Sequence, residues 1–244
     1  MAKKDSICRT LVLAACVVGI TGAAWAQDLL GSVLSGDLVD PKPGTYAWYE
    51  LSGKEADGKM YLRIALVGSE KVKRKTGYWI ETELVPAVGF SSVYKMLLTG
   101  PANKTENVHR LIVKEGERPA EEVPIDVTGD EAEAAPEERE SLGPEEVRYA
   151  GGTIPATKVR VSSGDQSIEL WLNETVKPMG IVRMVSPQGE LVLQRFGEGG
   201  KDGTSAIVLP GEGVKPEPER KFKVEVEDGA TKNFSGRKSG AKDR

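Results

Sequence analysis

The chain holds two cysteines and a single histidine, so the residues that most often ligate zinc or work as nucleophile and base are nearly missing. Both cysteines, Cys8 and Cys16, lie before residue 27. The rest of the chain has no thiol to oxidise and must be held together by burial alone. His109 sits between Val108 and Arg110, with no serine, cysteine or acid spaced to suggest a triad. Nucleophilic catalysis of the Ser-His-Asp or Cys-His kind lacks its base. One histidine without cysteine cannot complete the usual zinc ligand set. No catalysis, metal or cofactor is expected.

An excess of positive charge is also missing. Residues 1–26 take three of the 33 basic residues and one of the 37 acidic ones, leaving 30 against 36 and a net charge near −6. That balance argues against a nucleic-acid partner and gives no broad attraction to anionic lipid headgroups. Apart from residues 11–24, no stretch approaches the ~20 apolar residues of a membrane-spanning helix.

The apolar run at 11–24 carries the clearest signal present. Lys3, Lys4 and Arg9 precede it and Ala24-Trp25-Ala26 closes it before Gln27, the pattern of a secretory signal peptide. Export without disulfides suits a bacterial periplasm. Leu13-Ala14-Ala15-Cys16 also matches a lipobox, with lipid anchoring at Cys16. That reading ranks second, because the apolar stretch runs well past the cysteine.

The expected division is a signal at 1–26, one β domain at 27–209 and a linker with a polar tail at 210–244. Leu29, Leu30, Val33, Leu34 and Leu38 suggest one short amphipathic helix over 28–39, weakened by Gly31 and Gly36 and ended by Pro41, Pro43 and Gly44. Strand-like runs come next at 46–51, 60–67, 78–84, 93–98 and 108–113, then at 157–161, 167–172, 181–185 and 191–196, separated by turn residues. Residues 222–226 could add another. Met60, Leu62, Ile64 and Leu66 alternate cleanly, as do Ile168, Leu170 and Leu172. Residues 115–146 hold thirteen acidic residues against Arg118 and Arg139, with four prolines and no aromatic residue, and read as a solvated acidic loop. Removing 119–143 should then leave the fold intact.

Nine strands at ~4.8 Å make a sheet ~40 Å wide, whereas a twelve-residue helix is only ~18 Å long and ~10 Å across. One helix cannot cover that apolar face. Either the sheet curls until its apolar face meets itself, or it splits into two packed layers, or part of the face stays open for a ligand or partner; the expected fold is mainly β, a strongly curved antiparallel sheet enclosing an apolar hollow, with a short N-terminal helix. Leu62, Ile64, Leu66, Ile80, Leu84, Ile168, Leu170 and Leu172 are the candidates for lining its hollow. The same residues would equally fill an ordinary core.

Other candidate sites carry less. Asp126, Asp130, Glu131 and Glu133 do not follow the spacing of a calcium loop. Gly197 to Lys201 resembles a phosphate loop, but Asp202 stands where Ser or Thr should follow Gly-Lys, so it reads as a turn. Trp48 with Glu50, Trp79 with Glu81 and Glu83, and Trp171 with Glu169 each share a strand face. Glu81 and Glu169 could form an acid-base pair if held ~5 to 9 Å apart; the plainer reading is a half-exposed sheet face.

Gly151-Gly152-Thr153-Ile154-Pro155-Ala156-Thr157-Lys158, then Glu169-Leu170-Trp171-Leu172, then Val176-Lys177-Pro178-Met179-Gly180-Ile181-Val182 resemble periplasmic proteins of the LolA/LolB-like superfamily of lipoprotein carriers. Gly189-Glu190-Leu191-Val192-Leu193 and Phe196-Gly197 continue the likeness. Trp48-Tyr49-Glu50 and Tyr78-Trp79-Ile80-Glu81 are compatible with it. It spans about residues 44–200. The resemblance implies a half-open antiparallel barrel with a helical lid, whose hollow holds a lipid or the acyl chains of a lipoprotein, without catalysis. The superfamily's long lid helices have no counterpart here beyond 28–39, and the acidic segment stands where its connection is compact. The alternative is a structural or interaction protein with a filled core that binds a protein partner through its acidic loop.

Overall fold

The structure, a computed structural model, describes residues 30–34, 36–53, 59–125, 138–163 and 166–207. The signal segment, the calcium candidates Asp126, Asp130, Glu131 and Glu133, the linker after 209 and the strand suggested at 222–226 lie outside the described residues.

Eleven strands form one antiparallel sheet: β1 Thr45–Gly53, β2 Met60–Val72, β3 Lys75–Val85, β4 Ser92–Leu98, β5 Val108–Glu115, β6 Glu121–Val123, β7 Glu138–Tyr149, β8 Gly152–Ser163, β9 Gln166–Leu172, β10 Ile181–Val185 and β11 Gly189–Glu198. Their order is β6-β5-β4-β3-β2-β1-β11-β10-β9-β8-β7. The chain starts in the middle, meanders out to β6, crosses to the opposite edge and meanders back until β11 pairs with β1. All nine strands expected from alternation are present.

The expected helix ends earlier than its apolar spacing suggests. Residues 30–34 are helical, and the chain turns away at Gly36, whose N–H donates to Val33 O at 3.3 Å. Glycine costs about 1 kcal/mol in a helix interior, so the turn comes well before Pro41.

The larger correction concerns the acidic segment. β6 and most of β7 fall inside 115–146, which is therefore not one solvated loop. Both are edge strands and bury little, so apolar periodicity could not announce them. Charge pairing supports them instead. Arg110 grips Glu122 through two bonds of 2.8 and 2.9 Å, Arg160 reaches Glu140 at 3.2 Å, and Trp171 Nε1 donates to Glu145 at 2.8 Å. β6 is three residues long, and β7 carries Pro144, a bulge between Ser141 and Gly143, and a row of exposed glutamates. Short, kinked and charged edges resist edge-to-edge association.

The sheet is strongly curled. Flat, β7 would lie four strand spacings, ~19 Å, from β11, yet Tyr149 and Phe196 bring their rings to 6.2 Å between centroids. Residues 34–39 make the same point. Ala102 N–H, after β4, donates to Leu34 O at 3.0 Å, and Val39 N–H donates to Pro178 O, before β10, at 2.8 Å. β4 and β10 stand five spacings apart, ~24 Å when flat, while five residues reach at most ~18 Å. The sheet has no closing pair between β6 and β7, so it curves without becoming a barrel.

Register assigns the faces. Ala47, Tyr49 and Leu51 pair with Ile64, Leu62 and Met60 on one side and with Phe196, Leu193 and Leu191 on the other, and so share the inner face beneath the helix. The outer face carries Arg63, Trp79, Glu81, Arg183 and Trp171. It is not the half-exposed surface expected from sequence. After β11 the chain folds back over it, and Ile207 joins Trp79, Val93, Leu97 and Ile112 in a second apolar cluster. On the other flank Trp171 is 3% exposed, with Lys158 and Arg183 4.6 and 4.8 Å from its ring centroid, a spacing at which cation and ring attract.

Candidate ligand-binding face and its lid

The inner face is one continuous apolar surface whose cover is uneven. In the middle, on β1, β2 and β11, Tyr49, Leu62, Ile64, Leu191 and Leu193 are fully buried. Helical residues Val33 and Leu34 pack into the same cluster. Cover thins toward both flanks. Tyr94, Val113 and Val123 are half-buried on one side; Val159, Val161, Ile168, Leu170 and Leu172 are half-buried on the other. The described helical residues 30–34 pack over the centre of the face, where Val33 and Leu34 join its core.

All eight residues expected to line a hollow belong to this surface. Leu62, Ile64, Leu66 and Ile80 are fully buried in its sealed centre, and Leu84, Ile168, Leu170 and Leu172 lie half-buried along its flanks. Leu62 faces Leu84, Leu66 faces Ile80, and Leu170 faces Met184 in register. Alternation located both groups without separating sealed from accessible positions, because that depends on where the lid lies. Tyr94, Val113, Val159 and Val161 share this face and were not among the candidates. Pairing of Tyr94 with Thr82, Val113 with Tyr94, Val159 with Leu170 and Val161 with Ile168, not local pattern, puts them on this face.

The end of the lid helix is tied by the backbone bond from Ala102 to Leu34, and the chain after it by the bond from Val39 to Pro178 and an ion pair between Asp40 and Lys177. Beneath it the buried Tyr49 hydroxyl donates to Ile181 O at 3.1 Å, and burial pushes its pKa upward, keeping the phenol neutral. Away from the lid, the loop between β3 and β4 exposes Val88 (90%) and Phe90 (74%).

The hydrogen bond and charge of Lys177 hold the Asp40 carboxyl below its ordinary value of 3.8. A carboxyl depressed in the folded state adds stability above its unfolded pKa, and that contribution is lost as pH falls through the folded value. Asp40 has φ +40°, which asparagine tolerates. Wild type should therefore melt above Asp40→Asn at pH 7, with the difference closing below pH 3.8. Parallel Tm curves at both pH values would show that the pair does not hold the lid.

The two glutamates considered as an acid-base pair are not brought together. Glu81 lies on β3 and Glu169 on β9, five strand spacings apart in the sheet order. Glu81 is buried against Arg63, and Glu169 is held below its usual range by hydrogen bonds from Lys158 and Arg160. His109 Nε2 lies 2.9 Å from Thr99 Oγ1. Gly197 and Glu198 finish β11, and Gly199 and Gly200 turn the chain, as expected for that segment. Among the described residues no group of His, Cys, Asp and Glu is placed to hold a metal, and no helix is long and apolar enough to cross a membrane.

These features define a class: a mainly β protein built on one open, curled antiparallel sheet with a short helical lid. No protein-family model matches the chain, and no curated protein matches it by sequence. Among solved structures it is similar to a protein from Bacteroides fragilis described as exported and of YmcC-like fold, at 11% identity over 67% of this chain and 100% of that one, with a TM-score of 0.37. A protein from Parabacteroides distasonis described as a lipoprotein matches at 12% identity over 64% of this chain and 96% of its own, with a TM-score of 0.34. The MucA/MucB complex of Pseudomonas aeruginosa matches at 12% identity over 74% of this chain and 58% of that one, with a TM-score of 0.28. Likenesses of this size assign no activity.

Proposed function

We propose that this chain is an exported, non-enzymatic binding protein of the bacterial periplasm that holds an apolar ligand, a lipid or the acyl chain of a lipoprotein, against the inner face of its curled sheet. The observation that carries the reading is the uneven cover of that face, sealed at the centre and half-exposed along Ile168, Leu170 and Leu172 and along Tyr94 and Val113. Apolar surface left accessible costs roughly 25 cal/mol per Å² relative to burial, which an acyl chain laid there would recover. The signal-like N-terminus and the resemblance to LolA/LolB-like carriers support the same reading.

Native mass spectrometry of detergent-free protein, with a fluorescent fatty acid titrated beside it, tests this. Bound lipid and saturable uptake are expected. Leu170→Asp places a charge on the half-buried flank and should weaken uptake at least about tenfold, equivalent to about 1.4 kcal/mol. Protein repeatedly free of lipid and unable to take up the probe would refute the reading.

The alternative of a protein partner engaged through the acidic segment is favoured by β7, an edge strand with exposed glutamates. It gains ground if lipid is absent and a basic partner crosslinks to β7.

A further inference from the structure

On the face opposite the lid, residues 199–207 leave β11 and cross β2 and β3 as a strap that adds no strand to the sheet. Its start is tied to the chain before β1, Gly199 N–H donating to Gly44 O at 2.9 Å; the bonds further along run within the strap or to side chains beneath it. Gly203 N–H donates to Gly199 O and Thr204 N–H to Lys201 O. Arg63 Nη1 donates to the main-chain carbonyls of Asp202 at 2.9 Å and Thr204 at 3.3 Å. The Glu81 carboxylate accepts Ala206 N–H at 2.8 Å and the Ser205 hydroxyl at 2.5 Å. Ile207 then seats against Trp79, Val93, Leu97 and Ile112. Sheet residues hold that pocket by themselves, since Trp79 Nε1 donates to Glu70 and its ring lies 5.2 Å from both Lys95 and Arg110.

We propose that this outer face is a peptide-binding site, centred on Arg63, Glu81 and Trp79, whose resident occupant is the chain's own strap. Three features make the occupant exchangeable. Gly199 and Gly200 hinge the strap with φ of +76° and +63°, in open space. Its seat reads mostly main-chain groups, which any extended segment carries. Arg63 also keeps its bonds to Glu81 and Glu83 when the strap leaves, so release hydrates an ion pair without stranding a buried charge.

Side chains are read at 203, which closes a 3-10 turn over Lys201–Gly203, and at 205 and 207, alternate positions of the extended stretch that starts at Thr204. At 203 only glycine fits, because a Cβ would lie 2.2 Å from Gly44 O. At 205 a hydroxyl meets Glu81, and at 207 a β-branched apolar side chain fills the pocket. The partner is therefore a Gly-x-Ser/Thr-x-Ile/Val segment that turns at its glycine and runs extended after it. This site is independent of the inner-face ligand.

The test is fluorescence anisotropy with a labelled peptide of the sequence of residues 199–209, titrated into the full-length exported chain. Wild type, with its site filled, should bind weakly. Ile207→Asp, which unseats the resident strap, should bind at least tenfold more tightly, and the same peptide carrying Asp in place of its isoleucine should not bind. A cooperatively folded Ile207→Asp chain that ignores the peptide overturns the proposal. Wild-type hydrogen exchange gives a second readout free of any folding defect in the variant. The Ala206 and Ile207 amides should exchange well ahead of those in β2 and β3, whereas exchange only through global unfolding overturns displacement of the strap.

Discussion

Replacing Glu81 by alanine should destabilise the protein by about 3–5 kcal/mol, the range for removing one partner of a buried ion pair. Glu81 is fully buried and Arg63 nearly so, and the same carboxylate also accepts from Ser205 and Ala206. Its loss leaves a guanidinium underneath the strap with only Glu83 to balance it, and leaves a backbone N–H without an acceptor. Set against the roughly 5–15 kcal/mol of a typical domain, that is a large share of the total. Glu83→Ala is the comparison. Glu83 is partly exposed and gives Arg63 one bond of 2.9 Å, so its removal should cost less than half as much. Urea unfolding of both variants separates them, and equal losses would mean that the Arg63–Glu81 pair is not the anchor of the outer face.

Deleting residues 119–143 should abolish cooperative folding, the opposite of what the acidic composition of this segment suggests. The deletion removes β6 and the half of β7 from Glu138 to Gly143, which pairs with Lys158 to Ser162 of β8. It uncovers the β8 edge and takes Glu140 from Arg160 and Glu122 from Arg110. A bare strand edge is a template for association. The expected product elutes as aggregate and shows no sharp melt. A monomer with the melting curve of the intact chain would show that these strands add nothing to the fold.

The two experiments probe what the sequence concealed, and for different reasons. Glu81 alternates with Ile80 and Thr82 as an outward residue should, and β3 does place it on the outer face. Its burial comes from residues more than a hundred positions away, held over it by contacts that no local period encodes. β7 was concealed by composition. A strand that buries one residue in twelve has no apolar rhythm, and its partners are cations on β8 and an indole on β9. Val147 and Tyr149, alternating just before the Gly151-Gly152 turn, were the only local sign of it.

The apolar face was legible because a strand points successive side chains to opposite sides. Met60 to Leu66 and Ile168 to Leu172 therefore declared both the strands and their inward residues. Width against helix length then left three ways to treat the uncovered face, a curl, a second layer or an opening, of which the structure takes the curl. By itself the sequence determined a mainly β chain with more apolar face than its helix can cover, since these properties come from period and size. Tertiary structure alone decided that β11 returns to β1, that the acidic segment supplies both edges, that the lid seals only the middle, and that a strap buries Arg63 and Glu81. Each of those depends on pairing between residues far apart in the chain, where the energy lies in complementarity between partners and is visible in neither partner alone.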